Sequence, residues 1–380
     1  MSGIYLDHAA TTPMLENAIA AMDAQLRTLG NPSSLHTQGR HTRKDVEDAR
    51  EVLAKELDCL ASEVIFTASG TEANNTAIKG IYWQQKALGK NVVVISAIEH
   101  HATLDPAKWL AEHEGAEVIH APVNREGVLD LDFLRALVAK RGPEIALISV
   151  MHANNETGAI QPIAEIVKIA GDIAVHTDAA QSFKKIPLSF KSLGVMALSI
   201  SAHKIGGPLG IGVLVLRRGV EIPALLHGGG QEREIRSGTL NAPSIVAFSA
   251  AATEHYPSSD VQTLRDNFIS ALHTAIPDAY VNGEASQRLP GIVNVTFPGT
   301  QSDTLLLLLD NAHVSASTGS ACSAGVHEAS HVLLAMGHTE ESAQSSLRFS
   351  FGAASTQADV DYVMSVLPGV IATGRAAHTV

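Results

Sequence analysis

The chain has 380 residues, of which 45% are hydrophobic and 17% charged, a balance that excludes disorder for most of its length. Lys and Arg total 27 against 39 Asp and Glu, for a formal charge of -12 without any basic stripe interleaved with aromatics, so nucleic acid is not an expected partner. Only two cysteines, Cys59 and Cys322, are present, which rules out a disulfide framework and fits a reducing compartment.

At roughly 150 residues per domain the length predicts two domains, or three. The N-terminus carries Asp7 where a signal peptide would need its apolar centre. An amphipathic helix is expected over 44–58, followed by Cys59 as a core filler. Short apolar runs then occur at 64–66, 92–95, 118–121, 145–151, 173–176, 198–201 and 211–216. They read as mainly apolar runs rather than strict alternation, as strands covered on both faces should. Helical segments at 71–87, 131–140 and 163–170 lie between several of them. This alternation predicts an α/β domain over 15–254 with a mainly parallel, seven-stranded sheet.

Beyond residue 255 the pattern changes to a helix at 261–276, a strand at 292–297 and a helix at 303–311 capped by Ser302. A strand at 346–351 and a helix near 357–367, capped by Thr356, follow. Together with residues 1–14 these form an expected smaller α+β domain over 255–380. The longest strongly apolar run, 305–309, stops at Asp310 and is far too short to span a bilayer. A cytoplasmic protein without a membrane partner is therefore expected.

Five places carry candidate chemistry. The turn Thr67-Ala68-Ser69-Gly70-Thr71-Glu72 follows a strand and opens a helix, whose free N–H groups suit a phosphate; taken alone it reads better as an ordinary helix cap. Asp178, with Gln181 after it, ends a buried strand, where open α/β sheets bind ligands; it could keep a pyridine nitrogen protonated, or simply cap a turn. Ser201-Ala202-His203-Lys204 closes another strand ahead of a glycine-rich turn, where a desolvated lysine could form a Schiff base. Glu99-His100-His101 follows the strand at 92–95, and one of the imidazoles could stack on a ring or shuttle protons. Ser317 to Gly325 is a loop of small residues around Cys322, suited to nucleophilic attack and sulfur relay.

With these motifs, and with blocks such as Tyr5-Leu6-Asp7-His8-Ala9-Ala10-Thr11-Thr12-Pro13, Gly30-Asn31-Pro32-Ser33-Ser34, Met151-His152-Ala153-Asn154-Asn155-Glu156, His227-Gly228-Gly229-Gly230 and Arg236-Ser237-Gly238-Thr239, the chain resembles the cysteine desulfurases of the NifS/IscS type, among the fold-type I pyridoxal-phosphate enzymes. The resemblance implies that Lys204 carries pyridoxal phosphate, that Asp178 pairs with the pyridine nitrogen and that His100 stacks on the ring. It implies that Gln181 and Asn155 contact the cofactor's hydroxyl side, Asn155 also meeting the substrate. Gly70, Thr71, Ser201 and His203 would hold the phosphate, joined by Thr239 of a second subunit in a homodimer. Arg348 would clamp the substrate carboxylate, a bidentate task lysine does poorly. Cys322 would accept sulfur from L-cysteine as a persulfide, for an iron–sulfur scaffold or another sulfur-carrier protein. Ala202 departs from the glycine that many members have there.

Rival readings come from the same residues. His327-Glu328-Ala329-Ser330-His331 matches the zincin spacing, although no third ligand follows at a suitable distance, and no metal is expected. A selenocysteine lyase or class V aminotransferase would use Lys204 and Asp178 equally well; a transaminase has no need of Cys322. A non-catalytic sulfur-binding subunit would not need Lys204, Asp178, His100, Cys322 and Arg348 together.

Overall fold

The computed structural model describes residues 3–319 and 329–378. Its strands in chain order are β1 (Ile4–Tyr5), β2 (Val64–Thr67), β3 (Val92–Ser96), β4 (Glu117–Ala121), β5 (Ile145–Ser149), β6 (Val175–Asp178), β7 (Ala197–Ser201), β8 (Gly212–Leu216), β9 (Tyr280–Val281), β10 (Ile292–Thr296), β11 (Val314–Ser315) and β12 (Ser346–Ser350). The seven from β2 to β8 form one sheet in the order β2-β8-β7-β6-β5-β3-β4. Only β8 pairs antiparallel with its neighbours, so six strands end at the same edge of the sheet.

The continuous apolar runs have a direct cause. Successive strand residues point to opposite faces, and both faces are covered. Val64, Phe66, Val92, Val94, Leu198 and Ile200 enter one core, while Ile65, Val93, Ile95, Ala197 and Leu214 enter another on the far face. β4 departs from the expectation: at one edge of the sheet its Glu117 and His120 are exposed, whereas β2 at the other edge is buried throughout. The expected helix at 163–170 is Ile163–Ala170, and that at 71–87 is Gly70–Lys86, with Ser69 accepting from the Glu72 N–H as its cap.

A second sheet, β12-β10-β9, carries its own core. Val293, Val295, Leu347 and Phe349 pack with Leu6 and with Phe268 of the helix Ser258–Ala275, the rings of Phe268 and Phe349 lying 5.0 Å apart. The alternation on β12 therefore turns Arg348 the other way, toward the large sheet. Near the N-terminus, β1 pairs with β11, and the Asp7 bridge to Ser350 brings residues 7–10 between the two sheets.

Two local expectations are corrected. Ser302 is the first helical residue of Ser302–Asn311 rather than its cap, which is Gln301. The last helix runs from Gln357 through Pro368 to His378, because Val370 and Ile371 beyond the proline are buried and offset the hydrogen bond that proline removes. Thr356 does cap it, reciprocally with Asp359. Among the described residues no helix is long and apolar enough to cross a membrane.

Candidate active site

A cavity of about 530 Å³ opens at the carboxyl ends of the parallel strands, within the size range of cofactor sites. Each wall comes from a strand end. β2 leads into the Ser69–Gly70–Thr71 turn, β3 into His100, β5 into Met151 and Asn155, β6 ends on Asp178, and β7 ends on Ser201 ahead of His203 and Lys204. Arg348 of β12 closes the far side.

The short helical turn Ala202–Ile205 presents Lys204, and Gly206 at φ 82 ends it in a conformation that favours glycine. Lys204 Nζ donates to the carbonyls of Ala9 and Ala10, each at 2.7 Å. Burial, reinforced by the Arg348 charge, lowers its pKa to about 8. The turn opposite packs against β8 so closely that a Cβ on Gly212 would lie 2.5 Å from the Ser69 carbonyl carbon, so only glycine fits. Gly70 and Thr71, whose first-turn N–H groups have no partner within the helix, line the cavity with the helix dipole behind them.

Asp178 is held on both oxygens, Oδ2 accepting from Asn74 Nδ2 at 2.6 Å and Oδ1 from the Ala180 N–H at 2.9 Å. His100 accepts the Ala102 N–H on Nδ1 at 3.0 Å, which assigns its remaining proton to Nε2. Burial lowers its pKa, so the neutral imidazole is favoured. His203 Nδ1 lies 3.2 Å from Thr11 Oγ1, and burial takes its pKa down to about 4. Arg348 donates from Nη2 to Asp7 Oδ1 at 2.6 Å and from Nη1 to the Asn155 carbonyl at 3.0 Å, while its buried Nε has no partner among the described residues.

Ten of the sequence-predicted residues therefore meet in one place: Gly70, Thr71, His100, Asn155, Asp178, Gln181, Ser201, His203, Lys204 and Arg348. Thr239 does not; it is exposed and outside this wall. Its segment is tied down by Arg236 Nε to Glu72 Oε1 at 2.8 Å and by Glu232, which accepts from buried Arg50. Cys322 lies outside the described residues, as do His327 and Glu328. Ser317 and Gly319 before that segment, and His331 after it, line the cavity. His331 opens the helix His331–Ala335 with Ala329 and Ser330 ahead of it, so the zincin spacing does not lie on one helix. Cys59 packs against the core, and burial pushes its thiol up to about 12, an inert state.

Sequence reasoning missed the supporting groups: Asp7, the carbonyls of Ala9 and Ala10, and Asn74. A signal existed for Asn74, four residues after Gly70 and so on the same helix face.

Residues 4–363 match the Aminotransferase class-V family. The chain is 47% identical to an IscS-like cysteine desulfurase of Mycobacterium tuberculosis (strain ATCC 25618 / H37Rv), covering 98% of this chain and 97% of that protein. It is 44% identical to the cysteine desulfurase IscS of Dictyoglomus turgidum (strain DSM 6724 / Z-1310), over 97% and 94% of the two chains. The solved structure of a NifS-like protein superposes with a TM-score of 0.90 at 34% identity, covering 98% of this chain and 100% of that one. With the family matched over nearly its whole length and relatives of this closeness, the chain belongs to the aminotransferase class-V family.

Proposed function

We infer that the chain is a pyridoxal-phosphate-dependent cysteine desulfurase, converting L-cysteine to L-alanine with transfer of the sulfur to Cys322 as a persulfide. The observation that carries this reading is the convergence on one cavity of Asp178 from the end of β6, Lys204 from the turn after β7 and Arg348 from the middle of β12. The donor set fits the cofactor: an amine of lowered pKa for its aldehyde, helix-start N–H groups with Ser201 and His203 for its phosphate, and a fixed carboxylate for its ring nitrogen. The cofactor, when bound, supplies an electron sink for the pair released at the substrate α-carbon.

The chain's own groups do the rest. Arg348 binds the substrate carboxylate, its guanidinium held in the cavity wall by Asp7 and the Asn155 carbonyl. Asp178, locked by Asn74 and Ala180, would hold a proton on the ring nitrogen, and His100, kept neutral by burial, would lie against the ring. Gln181 and Asn155 would reach the hydroxyl side. Lys204, once its amine is free, takes the α-proton onto Nζ, and the Ala9 and Ala10 carbonyls stabilise the resulting ammonium. The Cys322 thiolate attacks the substrate sulfur; the carbon–sulfur bond breaks, alanine leaves, and the atoms balance as cysteine plus thiol giving alanine plus persulfide.

The test is alanine and sulfide release from L-cysteine with excess dithiothreitol. Equal amounts are expected from the wild type, and Cys322→Ser should lose turnover by at least about 10²-fold while keeping its cofactor absorption band. Equal activity in both would remove Cys322 from the reaction and favour an aminotransferase or selenocysteine lyase.

The lowered pKa of Lys204 has its own consequence. The neutral, nucleophilic amine predominates above about 8 instead of above the ordinary lysine value. Capture of pyridoxal phosphate by cofactor-free protein should therefore speed up roughly tenfold per pH unit and level off near pH 8. A rate still climbing toward pH 10 would contradict the buried setting of this amine.

A homodimer is part of the proposal. Exposed Thr239, pinned near the cavity mouth through Arg236 and Glu72, would complete a partner's phosphate site, and Leu209 on the cavity rim is 72% exposed. A monomer mass for the cofactor-loaded protein in light scattering would overturn it. The sulfur acceptor is proposed to be an iron–sulfur scaffold or another sulfur carrier, in the cytoplasm. The division into 15–254 and 1–14 with 255–380 is supported by the separate apolar core around β10 and β12.

A further inference from the structure

One buried cation takes no part in the chemistry above. Lys185 is 7% exposed, and its Nζ donates to Gln181 Oε1 at 3.1 Å. Gln181 Nε2 in turn donates to the Ala9 carbonyl at 2.8 Å, the same oxygen that accepts from Lys204 Nζ at 2.7 Å. These contacts admit one orientation of the Gln181 amide. A carbonyl cannot donate, so Nε2 must face Ala9, which leaves Oε1 to accept from Lys185, an amine with an N–H to give in either protonation state. If the amide flipped, two acceptor oxygens would meet at Ala9 and the Lys185 N–H would lose its acceptor.

Lys185 does not line the large cavity. It lines a second, smaller one of about 110 Å³ on the other side of Lys204, shared with His8, Thr12 and Tyr256. Burying an ammonium is unfavourable, and burial together with the charges of Lys204 and Arg348 brings its pKa down to about 7. Methionine would fill the same space without that penalty. Whichever protonation state it takes, the amine keeps an N–H for Gln181.

We propose that Lys185 is a positioning residue for the cofactor site, acting through Gln181: it holds the side-chain amide with Nε2 turned to the shared Ala9 carbonyl. This rests on the reading that the cavity holds pyridoxal phosphate. The amide then offers its second N–H donor to the hydroxyl side of the cofactor without having to select an orientation on binding.

The test is a double-mutant cycle on the full chain, read as the dissociation constant of pyridoxal phosphate for cofactor-free protein, with the absorption maximum as a second readout. Lys185→Met should weaken binding about tenfold, the worth of one oriented hydrogen bond, and shift the band. In a Gln181→Ala background the same substitution should change binding less than about twofold, because the amide it orients is gone. An unchanged dissociation constant in Lys185→Met overturns the proposal, and so does an equal loss with and without Gln181, which is what a merely structural lysine would give. Should Lys185→Met not fold, Lys185→Leu, also without a donor, gives the same cycle. A wild type that does not bind pyridoxal phosphate would instead defeat the reading of the cavity itself.

Discussion

Lys204→Ala is expected to abolish alanine release from L-cysteine, with a fall of at least about 10⁴-fold, the combined loss of a covalent anchor and a general base. The magnitude follows from the surroundings. Among the described residues of the large cavity's wall Lys204 is the only lysine, and its Nζ is already aimed by the Ala9 and Ala10 carbonyls. His100 cannot substitute, because its Nδ1 is committed to the Ala102 N–H and burial disfavours its charged form. Pyridoxal phosphate should still bind without a covalent link, through Asp178 and the helix start, and thermal stability should not fall, since an unfavourable buried amine has been removed. Alanine quantified in single-turnover reactions decides the matter: turnover within tenfold of the wild type would refute the assignment.

Arg348→Ala should lower kcat/KM for L-cysteine by about 10²- to 10³-fold, the range for losing one partner of a buried charge pair. The effect should appear mainly in KM, since the carboxylate is held alike in ground and transition states. The substitution also strands Asp7, whose carboxylate sits 2.6 Å from the guanidinium, so the melting temperature should drop as well. Lysine should not rescue, for it cannot reach Asp7, the Asn155 carbonyl and the substrate with one point charge. A steady-state comparison of wild type, Arg348→Ala and Arg348→Lys separates these effects. Wild-type KM in the lysine variant would show that the bidentate geometry is dispensable.

Much of the fold was legible because a strand buried on both faces leaves a local mark. Runs such as Val92 to Ile95 are apolar at every position, and only a doubly covered sheet needs that. The exceptions are equally physical. β4 was read as one more buried strand, yet the two edge strands differ, β2 buried and β4 half exposed, and a pattern of four residues does not say what will cover it. Pro368 reads as a helix stop, yet the apolar residues after it supply burial that holds the helix together. The residues that meet chemistry were visible for a similar reason: Asp178 and Lys204 are polar groups placed where apolar strands end, and such interruptions stand out.

The groups that aim those residues were not visible. Asn74 holds Asp178 from 104 positions away, the Ala9 carbonyl holds Lys204 across 195, and Asp7 meets Arg348 across 341. Backbone carbonyls have no residue type to betray them, and a hydrogen bond imposes a distance in space but no spacing along the chain. Local sequence thus marked the strands of the large sheet, several helices and the reactive residues at the strand ends, since burial and capping act over a few neighbouring residues. Which strand lies beside which, and which distant oxygen steadies each charged group, was decided only when packing brought the two sheets and the N-terminal segment together around one cavity.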